Sequence, residues 1–267
     1  MRQINAAAKA VANGDFSQRL EVPKEKETAE ICINFNEMVD KLGNNELLAR
    51  DFVSNVSHQF RTPLSSIHGY AQLLESDDLS KEERIEYISV IEEKALTLSD
   101  LINDILELSR LEHQSAAISK EEFSIDEQIT KCVLSMEKQL TDKNMEVELN
   151  LEPSKYYGNK ELLNEVWNNL LENAIKFTDE KGIIVISVKS AEDGLVVSFK
   201  DNGCGMSEET KSRLFDRFYR GKEVQGRYGS GLGLSMVKSI LQKHDATIHV
   251  NSELSKGSEF IITLLAV

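Results

Sequence analysis

The stretch LARDFVSNVSHQFRTPLSSIHGYAQLL, Leu48–Leu74, decides how the first half of the chain folds. Leu48, Phe52, Val56, Phe60, Leu64, Ile67, Ala71 and Leu74 recur through it at steps of three and four, the period of one helix face. Ser76 to Leu79 read as a turn, and Ser80-Lys81-Glu82-Glu83 is a capping box that opens a second helix. That helix carries Ile88, Ile91, Ala95, Leu98, Ile102, Ile105 and Leu108. Two helices with such wide apolar stripes cannot cover each other alone. Residues 44–115 are therefore expected to form a helical hairpin that completes its burial as a dimeric four-helix bundle.

Within this stretch lies Ser57-His58-Gln59-Phe60-Arg61-Thr62-Pro63-Leu64. His58 is two residues from both Val56 and Phe60. At about 100° per residue it points about 200° from each, toward solvent. Ser54 and Thr62 share its outward face. Pro63 lacks an amide donor and clashes with the carbonyl one turn back, which predicts a kink beside His58. An exposed helical histidine is by itself an ordinary solvated side chain.

Working outward, residues 1–43 read as two short helices around a connector. Ile4, Ala8 and Val11 mark the first; Ile31, Phe35, Met38 and Leu42 mark the second with coiled-coil spacing. Residues 116–267 change character. Apolar strands are expected at 145–151, 183–190, 195–200, 247–252 and 258–265, with helices near 125–140, 160–177 and 232–244. Strands and helices mix without regular βαβ repetition, so this part is α+β.

Bulk properties narrow the function classes. A net charge of −14 over 267 residues argues against nucleic acid, whose binders need a basic face. Cys32, Cys132 and Cys204 are far apart, lack metal-ligand spacing and read as reduced thiols. No apolar run approaches the about 20 residues that span a bilayer, and no signal peptide is visible. The chain is expected to be soluble.

The α+β part holds four polar boxes in order. Asn169, Asn173 and Lys176 project from one side of a helix whose other side carries Leu170, Leu171, Ala174 and Ile175. Two amides and an ammonium suit a metal–phosphate ligand, since Mg²⁺ prefers oxygen; a plain polar helix face is the alternative. Asp201-Asn202-Gly203-Cys204-Gly205-Met206 follows a strand, and its glycines would let a flat base approach the backbone. Phe215-Asp216-Arg217-Phe218-Tyr219-Arg220 precedes a polar, lid-like stretch to Tyr228. Gly229-Ser230-Gly231-Leu232-Gly233-Leu234-Ser235 runs into a helix, whose free N–H groups make a phosphate cradle.

The octapeptide resembles the phospho-acceptor box of sensor histidine kinases, Ser-His-Glu-x-Arg-Thr-Pro-Leu. The ordered boxes resemble the Bergerat ATP-binding domain shared by histidine kinases, gyrases and Hsp90-type chaperones. Val11 to Ser17 and Phe35-Asn36-Glu37-Met38 resemble the helix borders of the HAMP signal-relay module. Of that module's Asp-Glu-x-Gly signature, Lys26-Glu27-Thr28-Ala29 keeps only the Glu.

The resemblance implies a multidomain chain: HAMP over 1–43, with its first helix truncated; the dimerisation and phosphotransfer hairpin over 44–115; and the catalytic ATP-binding sandwich over 116–267. It implies an ATP-dependent protein-histidine kinase that phosphorylates His58 and passes the phosphate to an aspartate of a response regulator receiver domain. Gln59, Arg61, Thr62 and Pro63 would be its catalytic neighbours, with Thr62 holding water for dephosphorylation. Asn173 would hold Mg²⁺, Asp201 would read adenine, and Lys176 and Arg220 would meet phosphates. The other nucleotide contacts fall on Asn169, Phe177, Gly203, Gly205, Phe215, Phe218, Tyr219, Gly229, Ser230, Gly231, Leu232, Gly233 and Leu234. A homodimer is implied, as is the cytoplasmic portion of a bacterial membrane receptor whose transmembrane segment lies upstream.

Two departures matter. Gln59 stands where the family has an acidic proton acceptor, and an amide cannot act as a base. The base is dispensable here, or the residue is engineered, or activity is weak and the chain is a phosphatase-biased switch or scaffold. Asn169 stands where the gyrase and chaperone branches have a water-activating Glu, which suits phosphoryl transfer better than ATP hydrolysis.

Overall fold

The computed structural model describes residues 2–23, 25–76, 78–113, 119–192, 194–224 and 229–265. Asp77 of the expected turn, and residues 225–228 of the expected lid, lie outside them. The chain forms two compact units, Met1–Leu79 and Ser80–Val267.

The first unit contains α1 (Arg2–Ala12) and α2 (Lys26–Leu73). The second short helix and the first long one, expected as separate elements, are one 48-residue helix that continues through Pro63. Gly14, at φ 89°, follows the end of α1, a conformation that suits glycine. Ala7 and Val11 pack on Phe35 and Val39, with Phe16 and Leu20 of the connector against them. Asn36 ties the connector to α2: its Oδ1 accepts the Leu20 N–H at 2.8 Å, and its Nδ2 donates to the Leu20 carbonyl at 2.9 Å.

Here the expected stripe is corrected. Cys32, Phe35 and Val39 are buried, whereas Ile31, Met38 and Leu42 are exposed. The helix is apolar on two faces, and α1 with its connector can cover only one. On α1 it is Ala7 and Val11 that are buried, while Ala8 is exposed. Lower on α2, Phe52, Val56, Phe60 and Ile67 are half-buried, but Leu64 stays 49% exposed and Ala71 is also exposed.

The second unit opens with α3 (Lys81–His113). Its capping box forms as read: Ser80 Oγ accepts from Glu83 N–H at 3.2 Å, and Glu83 Oε2 accepts from Ser80 N–H at 2.9 Å. The buried positions of α3 are Leu101, Leu108 and Leu111; Ile88 and Ile102, expected in the stripe, are exposed.

The α+β part follows as β1 (Glu121–Ser124), α4 (Ile125–Ser135), α5 (Glu137–Asp142), β2 (Glu146–Leu151), β3 (Lys155–Gly158), α6 (Lys160–Phe177), β4 (Ile183–Ala191), β5 (Gly194–Asp201) and α7 (Glu208–Arg213). A 3-10 turn at Lys222–Val224, α8 (Gly233–Lys243), β6 (Thr247–Glu253) and β7 (Gly257–Leu265) complete it. Five strands form one sheet in the order β2-β4-β5-β7-β6, with β2 and β4 parallel and the other pairs antiparallel. The strands β1 and β3 pair separately.

The three helices α4, α6 and α8 make a second layer, with α6 against β5 and α8 against β6. Burial alternates along β4 and β7, so one sheet face is covered. Trp167 of α6 is fully buried and stacks on Phe199 of β5 at 5.9 Å. Its indole N–H donates to Gln128 Oε1 at 2.8 Å, which satisfies the polar atom that burial would otherwise strand.

Candidate phospho-acceptor and nucleotide sites

In the first unit, His58 is exposed on α2, as its helical phase requires, and so are Ser54, Arg61 and Thr62. Gln59 is half-buried and Pro63 is buried. The Thr62 hydroxyl donates to the His58 carbonyl at 3.4 Å, and the Ser57 hydroxyl to the Val53 carbonyl at 2.8 Å. The imidazole is thus presented outward on a regular helix, with an amide as its next neighbour.

In the second unit, the polar boxes converge on the ends of β5, α6 and α8. Leu163, Val166, Trp167, Leu170, Leu171, Ala174 and Ile175 bury one side of α6. Asn169, Asn173 and Lys176 are left on its partly exposed side. Asn169 Nδ2 donates to the Glu165 carbonyl at 2.9 Å, and its Oδ1 faces Gly233 so closely that a side chain there would collide with it. Lys176 Nζ lies 5.1 Å from the Phe177 ring centroid and also fills the space a side chain at Gly229 would need. Burial, aided by the charge of Arg220, lowers the Lys176 ammonium to about 8, while Glu172 and Asp104 act to hold it up.

Asp201 is buried at the end of β5. Its Oδ1 accepts from Gly203 N–H at 2.8 Å and from Ser258 N–H at 3.2 Å. Burial raises its carboxyl, and these two donors oppose the rise. Both of these bonds land on Oδ1, and Oδ2 is the oxygen that would suit an exocyclic amine. Gly203 packs on the Phe177 carbonyl, which accepts from Cys204 N–H at 3.1 Å. Gly205, at φ 64°, lies against the Glu253 carbonyl. No side chain fits there, so the second box is held by backbone contact.

Beyond α7, Phe218 has φ 62°, and its N–H donates to the Gly231 carbonyl at 2.9 Å. That bond joins the third box to the glycine loop. Arg213 lies 4.3 Å over the Tyr219 ring and Lys238 Nζ 5.4 Å over Phe215. Arg220 is exposed and donates to the Val224 carbonyl at 3.4 Å. Leu232 is fully buried, a core anchor for the loop, while Gly229, Ser230, Gly231, Gly233 and Leu234 are partly exposed. The N–H groups at the start of α8 follow directly, the cradle expected for an anion.

Three sequence families match in succession. Residues 1–44 match the HAMP domain, 48–114 the His Kinase A (phospho-acceptor) domain, and 158–267 the histidine kinase-, DNA gyrase B- and HSP90-like ATPase. The chain belongs to the sensor histidine kinases.

Among relatives of this chain, the heme sensor protein HssS of Staphylococcus aureus strain JH9 is 29% identical over 265 residues, 99% of this chain and 57% of its own length. The chain thus spans about half the length of the curated relatives it matches. Of solved structures, full-length ShkA in complex with AMPPNP is 27% identical with a TM-score of 0.58, covering 83% of this chain and 46% of that one. Histidine kinase ThkA in complex with the response regulator protein TrrA gives a TM-score of 0.71 at 22% identity, a likeness of fold, over 84% of this chain and 64% of that one.

Some residues of the ATPase-like domain carried no signal in the sequence. Glu223 accepts from Ser207 N–H at 3.0 Å and from the Thr210 hydroxyl at 2.8 Å. Burial opposes its ionisation, yet these bonds pull it down to about 2, fixing the 3-10 turn to the start of α7. His244 is buried at the end of α8; its Nε2 accepts from Asn159 N–H at 3.1 Å and its Nδ1 faces the Ile240 carbonyl at 2.8 Å. Asn159 caps α6 by accepting from Leu162 N–H at 2.8 Å. Among the described residues, no helix is long and apolar enough to cross a membrane.

Proposed function

We propose that this chain is an ATP-dependent protein-histidine kinase divided as 1–43, 44–115 and 116–267, with His58 as its phospho-acceptor. The observation that carries the reading is one chain holding both an outward-facing His58 and a nucleotide cradle built from backbone contacts at Gly203, Gly205 and Gly231. Adenine sits against the second box with Asp201 reading its amine. Lys176, Arg220 and the start of α8 receive the phosphates. The ShkA structure, whose partner is AMPPNP, supports that class of ligand.

Asn173 is the residue suited to hold Mg²⁺, since its amide oxygen is on the partly exposed side of α6 beside Lys176. A bound Mg²⁺ supplies charge neutralisation for the phosphates. An imidazole nitrogen of His58 attacks the γ-phosphorus in line, the bond to the β-phosphate oxygen breaks, and ADP leaves. The ring proton departs to solvent, because Gln59 cannot take it. The phosphoryl group then passes to an aspartate of a response regulator, the class of partner seen with ThkA. Thr62, one turn from His58, would hold a water that hydrolyses the aspartyl phosphate of the partner, breaking its bond to the aspartate oxygen and releasing inorganic phosphate.

Exposed apolar side chains support a homodimer: Val53 is 63% exposed on α2, and Ile85 58% and Leu96 66% on α3. The exposed second face of Ile31, Met38 and Leu42 extends that interface into the HAMP region. An upstream membrane anchor would deliver the signal. The kinase reading is preferred to a scaffold because all the nucleotide boxes are intact.

Incubation with γ-labelled ATP tests this. The chain should acquire acid-labile label that is lost in His58→Ala, and Gln59→Glu should raise its rate. Label that persists in His58→Ala would overturn the assignment.

A further inference from the structure

A carboxylate outside the nucleotide boxes fastens two of them together. Glu223 is half-buried in the 3-10 turn Lys222–Val224. Its Oε1 accepts the Ser207 N–H at 3.0 Å, and its Oε2 accepts the Thr210 hydroxyl at 2.8 Å. Thr210 is buried and already oriented: its Oγ1 accepts the Ser207 hydroxyl at 3.1 Å, and its N–H donates to Ser207 Oγ at 3.3 Å. A hydroxyl has one proton, so Thr210 gives its own to Glu223. Gly221 closes over this pair, because a side chain there would collide with both Glu223 Oε2 and Thr210. Lys222 Nζ adds an ion pair with Glu209 of α7 at 3.2 Å.

The two ends of this latch are different parts of the nucleotide site. Ser207 directly follows Met206, the last residue of the second box. That box is itself immobilised: Gly205 lies on the Glu253 carbonyl, and the Cys204 carbonyl accepts the Ser255 N–H at 2.7 Å. At the other end, Arg220 leads into the turn, and its guanidinium folds back to donate to the Val224 carbonyl at 3.4 Å. The turn is closed by Val224 N–H donating to the Gly221 carbonyl at 3.3 Å. Arg220 is exposed, with a long side chain that alone would sample many rotamers.

We propose that Glu223 is a positioning residue for ATP: it fixes the turn that holds the Arg220 guanidinium to the adenine box. Base and phosphate contacts are then presented at one set separation, and the ordering of Arg220 is completed before the nucleotide arrives. Glu223 acts through Arg220 rather than on the nucleotide. This rests on the nucleotide reading above.

The test is calorimetric titration of the whole chain with Mg-ATP and with adenosine, which has the base but no phosphate. Glu223→Ala should weaken ATP binding about tenfold, because the turn must then be ordered as ATP binds. Adenosine binding should stay within about twofold, which also reports that the variant is folded. Gly221→Ala keeps the carboxylate but fills the space where it meets Thr210, and should show the same selective loss. In an Arg220→Ala background, Glu223→Ala should add less than about twofold, since the two act as one unit. Equal weakening of ATP and adenosine would mean that Glu223 only holds the domain together. Losses that multiply in the double variant would mean that it does not act through Arg220. Either result overturns the proposal. If the unaltered chain binds neither ligand, or Arg220→Ala binds ATP as the unaltered chain does, the nucleotide reading itself falls and takes the proposal with it.

Discussion

The two candidate sites are built in opposite ways. On α2, His58 is placed by helical phase alone: the side chain is exposed, and Gly69, three turns on, has open space where a side chain would be. Around β5 and α8 the site is placed by backbone lying on backbone, with Gly203 on the Phe177 carbonyl, Gly205 on the Glu253 carbonyl and Gly231 on the Phe218 backbone. A surface presented by phase tolerates added atoms. A cradle formed by close approach does not, because nothing flexible can give way.

The largest effect that would break this comparison is at Gly205. Alanine there must adopt φ 64° and drive a methyl into the Glu253 carbonyl. Left-handed strain costs about 1–2 kcal/mol, and overpacking about 1–3 kcal/mol more. Gly205→Ala should therefore lose about 3 kcal/mol in denaturant unfolding of the nucleotide domain and most of its nucleotide affinity. A loss below about 1 kcal/mol would mean that the loop yields, and that backbone contact does not define the site.

The same contrast explains what the sequence disclosed. The five strands of the main sheet were readable from alternation, and α6 from a single apolar stripe ending at Phe177. The strands β1 and β3 were not, because Glu-Glu-Phe-Ser and Lys-Tyr-Tyr-Gly are short, mostly polar segments paired across a long separation. Phase failed where a helix is apolar all round: nothing local distinguishes Cys32, covered by its own chain, from Ile31, left outside. The boxes named nearly every nucleotide candidate, since glycine runs are local. Glu223 and His244 act through residues elsewhere in the chain, as in the His244–Asn159 bond across 85 positions.

His244 supplies the next test. Burial lowers its pKa below the ordinary histidine value of 6.5, helped by Lys120 and opposed by the Ile240 carbonyl and Asp245. In the fold the ring is neutral, with Nδ1–H donating to Ile240 and Nε2 accepting from Asn159. The unfolded chain takes up its proton first as pH falls. The stabilising contribution is thus intact above about pH 6.5 and is lost as pH falls from there toward the folded pKa. Unfolding followed from about pH 8 to about pH 5 should show that decline. His244→Asn should be less stable at the upper end and should flatten this part of the profile. An unchanged slope would mean that the bond to the α6 cap does not depend on the neutral ring.

The smallest effect should have the opposite sign to the first. Gly69 lies inside α2, and a methyl there would meet nothing within 4 Å. A glycine inside a helix costs about 0.5–1 kcal/mol relative to alanine, because the unfolded chain has more freedom to lose. Gly69→Ala should therefore raise the stability of the helical unit by about that amount, measured by helical circular dichroism at matched protein concentration, since subunit association also contributes. His58 labelling should stay unchanged, because Gly69 lies three turns along α2 from His58 and a methyl there meets nothing within 4 Å. A loss of stability would show that Gly69 is covered in the dimer, its apparent openness belonging to one chain alone. A gain would show that one substitution, glycine to alanine, separates a site set by helical phase from one set by backbone contact.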